Sequence, residues 1–372
     1  MKDLKHNFIT WYFNWFQQSP MFIAMNNTVE GSSWHRENSV GIHTHMVVSH
    51  FITNVSPGKP WDRDDVARAL SCAFHDVGKP AAKISKHNEI RGDYVSFPGH
   101  EQKSARLWED YAVSNWESLQ QLFNLRPHHI YKIGWMIEYH KPWDIKKPHK
   151  LEKMARTISE ISWPDSFGEV LLADALGRIQ DDRKDNIAQA ENWIKAMIEM
   201  TEQLSMEREQ SLNDDMPTLC MLIGPSGAGK STWIANNVPD YEHYSWDALR
   251  HDWYDPDDYG RAYSMSCDDS TFMSRAQAEF MTIIKAGKSL VVDNTNLGNK
   301  RRRFYVVEAI KRGYKLQAVL FPISSSMAVN RQGSRGDKKV PMDAVIRQYM
   351  SMQYPSYGDY DEIVVCGDNL SA

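Results

Sequence analysis

Two stretches of this chain place reactive residue types at close spacing. The first, CAFHDVGKP at 72–80, sets His75 beside Asp76, with Lys79 three residues further on. Imidazole and carboxylate together hold divalent ions of the Mn²⁺, Fe²⁺, Co²⁺ or Ni²⁺ kind, and an ion so held activates water for attack on phosphorus. The second, GPSGAGKST at 224–232, reads Gly224, Pro225, Ser226, Gly227, Ala228, Gly229, Lys230, Ser231, Thr232. It fits G-x-x-x-x-G-K-S after an apolar strand and before a helix. Glycines there let backbone N–H groups turn inward around phosphate oxygens, and the following helix presents its positive end. Lys230 is then set to reach the β- and γ-phosphates of ATP, and Ser231 to give an oxygen to Mg²⁺.

Each stretch needs partners. SWDALR at 245–250 offers Asp247 as acceptor of a hydroxyl proton, with Arg250 near it on a helical turn. The same residues also read as a helix N-cap and a solvated arginine. Asp293 ends an apolar strand in VVDNTN. In NRQGSRGDKKVP, Arg331 and Arg335 are four apart and share a face if helical. Two such arginines hold phosphates or form a solvated basic face. Upstream, GIHTHM supplies His43, FPGHEQ His100, MIEYHK His140 and LLADALGR Asp174. Of fourteen histidines, eleven lie at or before position 140, so ligand chemistry concentrates upstream of the glycine-rich loop. Lys79 either neutralises a phosphoryl group or is a helix-end cation.

The elements that must carry these residues change character along the chain. Residues 1–204 show apolar positions at three- and four-residue intervals, as in DRDDVARALSCAFHDVGK, which predicts helices. From 218 onward, short apolar runs at 218–224, 289–296 and 316–323 alternate with helical patterns at 232–237, 270–286 and 299–312. That alternation predicts a parallel sheet with crossover helices. The expected organisation is an all-α N-terminal domain over 1–210, a linker at 211–217 and an α/β domain over 218–372. The segment 252–269 reads as a lid or a cover for the acceptor.

Composition narrows the class. The 372 residues are 42% hydrophobic and 24% charged, with a net charge of −5, so any nucleic-acid surface is a local patch. Residues 300–347 form one by count, with twelve Lys/Arg against three acidic residues. The four cysteines are scattered, which argues against a disulfide framework and for a reduced, cytoplasmic setting. No apolar run approaches the about 20 residues that span a bilayer, and the first residues do not read as a signal peptide.

The order GPSGAGKST, SWDALR, VVDNTN, NRQGSRGDKKVP resembles the 5′-hydroxyl polynucleotide kinases of the phage end-healing type, over roughly 217–356. The resemblance implies ATP and Mg²⁺ at Lys230 and Ser231, Asp247 as general base, Arg250 toward the acceptor strand, Arg331 and Arg335 at a lid over ATP, and Asp293 orienting Arg250 or the metal water. GIHTHM, CAFHDVGK and LLADALGR resemble the HD phosphohydrolase superfamily, with its H…HD…D pattern in a helical bundle, over roughly 30–180. This implies His43, His75, Asp76 and Asp174 around a first divalent metal, His100 and His140 at a second, and His35 and Lys79 in contact with phosphate. The tandem order resembles the bifunctional HD–Pnk end-healing enzymes. Such an enzyme adds phosphate to a 5′-hydroxyl end and removes a 2′,3′-cyclic, 2′- or 3′-phosphate from the opposite end. The implied partners are polynucleotide ends, RNA above all, and an RNA ligase. Two other readings stay open: a nucleotide hydrolase fused to a small-molecule kinase, and an HD protein gated by ATP.

Overall fold

The computed structural model describes residues 3–30, 35–55, 60–89, 92–140, 162–179, 183–209, 215–356 and 358–370. The chain divides into two compact units, Met1–Glu207 and Arg208–Ala372. Residues 211–214 of the expected linker lie outside the described residues.

The first unit is helical. Helix α1 (Leu4–Asn14) starts at Asp3, whose carboxylate accepts from the His6 amide. Helix α2 (Pro20–Asn26) has Ser19 as N-cap and Pro20 in its first turn, where a missing N–H costs nothing. Helix α3 (Val40–His50) is capped by Ser39. Helix α4 (Arg63–Phe74) carries a reciprocal box, in which Asp62 and Asp65 each accept the other's amide at 2.9 Å. A short α5 (Lys79–Ala82), then α6 (His100–Ser114), α7 (Trp116–Phe123), α8 (Pro127–Glu138), α9 (Ser162–Leu176) and α10 (Arg183–Glu209) complete the helices described. Phe8, Trp11, Phe16, Phe74, Trp108 and Phe123 are buried aromatics of the core, and the Phe16 and Phe74 rings pack tilted at 46° with their centres 4.8 Å apart.

The unit is not all-α. An antiparallel hairpin, β1 (Ile84–Asn88) and β2 (Gly92–Ser96), interrupts the helices between α5 and α6. It escapes a search for apolar periodicity because β1 is exposed along its length and buries no regular face. A cross-strand His87–Asp93 contact at 2.7 Å and Gly92 at φ 69° fit the turn instead.

The second unit is a five-stranded parallel sheet in the order β4-β5-β3-β6-β7. The strands are β3 (Thr218–Ile223), β4 (Glu242–Tyr244), β5 (Leu290–Val292), β6 (Lys315–Leu320) and β7 (Glu362–Val365). Cys220, Leu222, Val291, Val319, Phe321 and Ala328 belong to one buried cluster. Met221 and Tyr244 both register with Val292, so β3, β4 and β5 end close together. Their C-terminal loops carry Gly224, Ser245 and Asp293, and the chain order reverses around β3, which is where open α/β sheets bind ligands. Helices α11 (Lys230–Asn237), α12 (Trp246–Trp253), α13 (Tyr259–Asp268), α14 (Phe272–Lys285), α15 (Asn299–Ile310), α16 (Ser325–Asn330) and α17 (Met342–Ser351) connect them. No helix among the described residues is long and apolar enough to cross a membrane.

Candidate metal centre and nucleotide site

In the first unit, the backbone brings four imidazoles and two carboxylates together. His43 comes from α3 and Asp174 from the end of α9. The sequence predicts His75 and Asp76 within a helix that runs to Gly78, but the helix ends before them. Helix α4 ends at Phe74, His75 is its C-cap, and Asp76 lies in the turn that follows. Gly78 then closes against α6. A Cβ there would stand 2.5 Å from the His100 carbonyl oxygen and 2.6 Å from the Ser104 amide, while its own amide donates to Ser104 Oγ. That close approach sets His100, the first residue of α6, beside Asp76.

Each of the four imidazoles turns Nδ1 toward a backbone carbonyl: His75 to Cys72 at 2.8 Å, His100 to Phe97 at 2.8 Å, His140 to Ile137 at 2.6 Å and His43 to Gly177 at 3.3 Å. With Nδ1–H donating there, the Nε2 lone pairs converge. His35, Glu37 and His43 have ligand atoms all within 4.8 Å of one another, and among the six residues above two further groups of three do the same: His43, His75 and Asp174; and Asp76, His100 and His140. Asp76 faces both. Its Oδ2 is 3.1 Å from His75 Nε2 and 3.8 Å from His43 Nε2, while its Oδ1 is 3.3 Å from His100 Nε2 and 3.7 Å from His140 Nε2. Oδ1 is buried and makes no well-formed hydrogen bond. Nδ1 atoms anchored on backbone carbonyls, converging Nε2 atoms and a buried carboxylate oxygen without a well-formed hydrogen bond fit one or two divalent ions.

Electrostatics agree with that fit. Burial pushes both carboxylates up, yet His75 and Lys79 hold Asp76, and Arg178 and His43 hold Asp174, well below the usual range. Burial would depress His43, but its bonds to Asp174 (2.9 Å) and Glu37 raise it to about 9. Burial and the neighbouring His75 push His140 down. Lys79, buried, pairs with Glu30 at 2.6 Å and Asp76 at 2.9 Å. His35 lies outside the two trios, 2.7 Å from Glu37 and with its ring 4.9 Å from that of His43.

Three participants were not singled out in the sequence. Glu37 Oε1 lies 3.2 Å from His43 Nδ1, and its Oε2 accepts the Ile179 amide at 3.1 Å. Glu30 pairs with Lys79. Arg178 forms an ion pair with Asp174 one helical turn away. Arg178 ends LLADALGR, Glu37 and Glu30 precede GIHTHM, and nothing in their local spacing marks them.

In the second unit, Gly227 (φ 88°) and Gly229 (φ 94°) take the left-handed backbone that turns the loop into α11. Lys230 Nζ donates to the carbonyls of Gly224 (3.1 Å) and Pro225 (3.0 Å). Ser231 Oγ donates to Asp293 Oδ2 at 3.2 Å, and His243 Nε2 lies 3.4 Å from the same oxygen. Asp293 therefore stands beside Ser231, while Arg250 is held by Asp247 and Ser266. Burial lowers the Lys230 ammonium, the charge of Arg335 lowers it further, and those of Asp293 and Asp247 oppose the shift.

Asp247 is not an N-cap. Ser245 holds that position, and Asp247 sits one residue inside α12. Its Oδ1 accepts from Arg250 NH1 at 2.8 Å and from the Tyr259 hydroxyl at 2.6 Å. Arg250 is also held by Ser266 Oγ at 3.0 Å and lies 4.8 Å from the Tyr263 ring centre. Arg331 and Arg335 do not share a helical face. Helix α16 stops at Asn330 and tight 3₁₀ turns follow, because glycines at 333 and 336 break the run. Arg331 donates to the Gly227 carbonyl at 3.3 Å and to Asn369 at 2.6 Å, which fixes the loop from outside. Arg335 reaches Gln332 at 3.3 Å, and Gln332 in turn donates to the Ser226 carbonyl.

The basic count over 300–347 is not one face. Arg302 is buried and donates to the Asn296, Leu297 and Gln353 backbone. Lys311 and Arg312 pair with Glu308, Arg347 with Asp343 and Lys315 with Glu362. Lys300, Arg301, Arg303 and Lys339 remain exposed.

Residues 219–355 match the family model described as an AAA domain. The parallel sheet, the glycine-rich loop after its central strand and that match agree: the second unit is a P-loop, kinase-like domain that takes ATP with Mg²⁺.

Proposed function

We propose that this chain heals broken polynucleotide ends, RNA above all. Its C-terminal domain would phosphorylate a 5′-hydroxyl with ATP, and its N-terminal domain would act as an HD-type phosphohydrolase on a 2′,3′-cyclic, 2′- or 3′-phosphate. The observation that carries the reading is the pairing of two chemistries in one chain: four imidazoles with Nε2 converging on Asp76 and Asp174 in one unit, and a P-loop with Lys230 on its carbonyls and Ser231 on Asp293 in the other. Adding and removing phosphate at the same end would be futile. Strand breaks that leave a phosphate at the 2′ or 3′ position and a hydroxyl at 5′ need both.

In the kinase unit, Lys230 and Arg335 bear on the transferred phosphoryl group, Ser231 and Asp293 hold Mg²⁺, and Asp247 takes the proton of the acceptor hydroxyl. Arg331 holds the loop through Gly227. Arg250 fixes Asp247 rather than reaching freely for the strand. In the first unit, His43, His75, Asp174, Asp76, His100 and His140 would hold the divalent ions. Bound there, these ions supply Lewis acidity and an activated water. Lys79, Arg178 and His35 surround the place where phosphate oxygens would lie.

The test offers the protein, with Mg²⁺ and then with Mn²⁺, Co²⁺ or Ni²⁺, an oligonucleotide with a 5′-hydroxyl and labelled ATP, and separately oligonucleotides ending in 3′-phosphate or 2′,3′-cyclic phosphate beside free nucleoside triphosphates. Label on the 5′ end and loss of terminal phosphate support the reading. Hydrolysis of triphosphates alone overturns it for the first unit, and transfer only to small alcohols overturns it for the second.

A further inference from the structure

Tyr259 lies in a segment that sequence reading left as a lid or a cover, yet it touches the group assigned as general base. Its hydroxyl donates to Asp247 Oδ1 at 2.6 Å, the oxygen that also accepts from Arg250 NH1 at 2.8 Å. Both donors converge on one carboxylate oxygen. Oδ2 receives neither, and the Asp247 side chain is 41% exposed, so Oδ2 is the oxygen presented to an incoming hydroxyl. The phenol is a steady donor: burial and the Asp247 charge both push its ionisation up.

The same residue is tied to the nucleotide side. The Tyr259 amide donates to Asp337 Oδ2 at 3.3 Å, and Lys338 Nζ lies 5.5 Å from the centre of its ring. Asp337 and Lys338 lie two and three positions after Arg335, and Arg335 contacts Gln332, which donates to the Ser226 carbonyl of the P-loop. A line of contacts thus runs from the phosphate loop through the 335–338 turn and Tyr259 to Asp247.

We infer that Tyr259 is a positioning residue for phosphoryl transfer. With Arg250 it fixes Asp247 so that Oδ2 takes the acceptor proton, and it links that carboxylate to the turn beside the P-loop. This rests on the kinase reading above. In the step it serves, the acceptor O–H bond breaks and its proton passes to Oδ2. The acceptor oxygen bonds the γ-phosphorus of ATP, and the bond from that phosphorus to the β,γ-bridging oxygen breaks with its electron pair leaving on ADP. Tyr259 itself exchanges no proton.

The experiment is a double-mutant cycle of Tyr259→Phe with Asp247→Asn in the full chain, read as transfer of label from γ-labelled ATP to a 5′-hydroxyl oligonucleotide. Phenylalanine keeps the ring against Lys338 and removes only the hydroxyl. The expected result is a kcat lower by roughly tenfold in Tyr259→Phe, with the KM values for ATP and oligonucleotide and the melting temperature unchanged. In the Asp247→Asn background the same change has no further effect, because the tyrosine acts through the carboxylate. A wild-type kcat in Tyr259→Phe, or an equal loss in both backgrounds, overturns the proposal. So does a loss confined to KM or to thermal stability. If the wild-type protein transfers only to a small alcohol, the polynucleotide reading fails, and the cycle run on that alcohol still decides the role of Tyr259. If it transfers to no hydroxyl, both fall.

Discussion

His43 is held from both sides. Its Nε2 faces Asp174 at 2.9 Å, and its Nδ1 faces Glu37 at 3.2 Å and the Gly177 carbonyl at 3.3 Å. A carboxylate behind an imidazole fixes the tautomer and raises the basicity of the nitrogen that meets a metal, and its loss costs about 10–100-fold in affinity. Glu37→Gln is therefore expected to weaken metal binding by roughly that factor, measured by competition with a chelator, with the fold intact by circular dichroism. Unchanged affinity would show that the Gly177 carbonyl alone suffices. On the kinase side, Lys230 donates to the Gly224 and Pro225 carbonyls of its own loop. Nucleotide phosphates would draw the ammonium away from them. Lys230→Ala should lower phosphoryl transfer by on the order of 10²-fold or more, through loss of charge opposite the phosphates. Residual transfer within a few fold of wild type would remove Lys230 from the chemistry.

Elements set where those residues stand, and here reading from sequence had uneven reach. His75–Asp76, the P-loop and Asp247 announce themselves because their chemistry is local: neighbours in sequence are neighbours in space. Glu37 and Tyr259 do not, because their partners come from elsewhere in the fold. Glu37 accepts the amide of Ile179, 142 positions away, and Arg331 meets Asn369 across 38. The β1–β2 hairpin stayed hidden because it has no buried face, and the 3₁₀ turns after α16 because four-residue spacing of arginines mimics a helix. Capping, by contrast, is local, and one cap carries a pH dependence. The Arg126 amide at the start of α8 donates to His129 Nδ1 at 2.9 Å, so the cap needs a neutral imidazole. Burial, and then the charge of His128, push His129 down to about 4. With its folded value below the ordinary 6.5, the unfolded chain takes up a proton between pH 6.5 and about 4 that the folded chain refuses. Stability from this group is thus intact above pH 6.5 and declines as pH falls through that window. His129→Gln keeps an uncharged acceptor at the capping position. Its melting temperature should fall less than that of wild type between pH 7 and pH 5. Parallel curves would place the acid sensitivity elsewhere.

At the scale of the whole molecule, the decisive question is whether two chemistries in one chain are two sites. The units are compact separately, Met1–Glu207 and Arg208–Ala372. Every proposed ligand of the metal centre lies in the first, and the P-loop, Asp247 and Asp293 lie in the second. Each site is also closed by contacts within its own unit: Asp76 by His75, His100 and Lys79, and Asp247 by Arg250 and Tyr259. Single substitutions should therefore separate the activities. Asp76→Ala removes the carboxylate that faces both ligand trios, so release of terminal phosphate should collapse and bound transition metal should drop, while label transfer to a 5′-hydroxyl continues at the wild-type rate. Asp247→Ala should do the reverse. Transfer should fall by ~10²–10⁴ through loss of a positioned general base, with nucleotide still bound and phosphate release untouched. A single oligonucleotide carrying a 5′-hydroxyl and a 3′-phosphate reads both ends in one reaction. Each variant should leave one end unhealed, and an equal mixture of the two variants should heal both, because neither site needs its companion in the same chain. Parallel loss of both activities in either variant would mean one shared site or a lost fold, and failure of the mixture would mean that both sites must act from one chain.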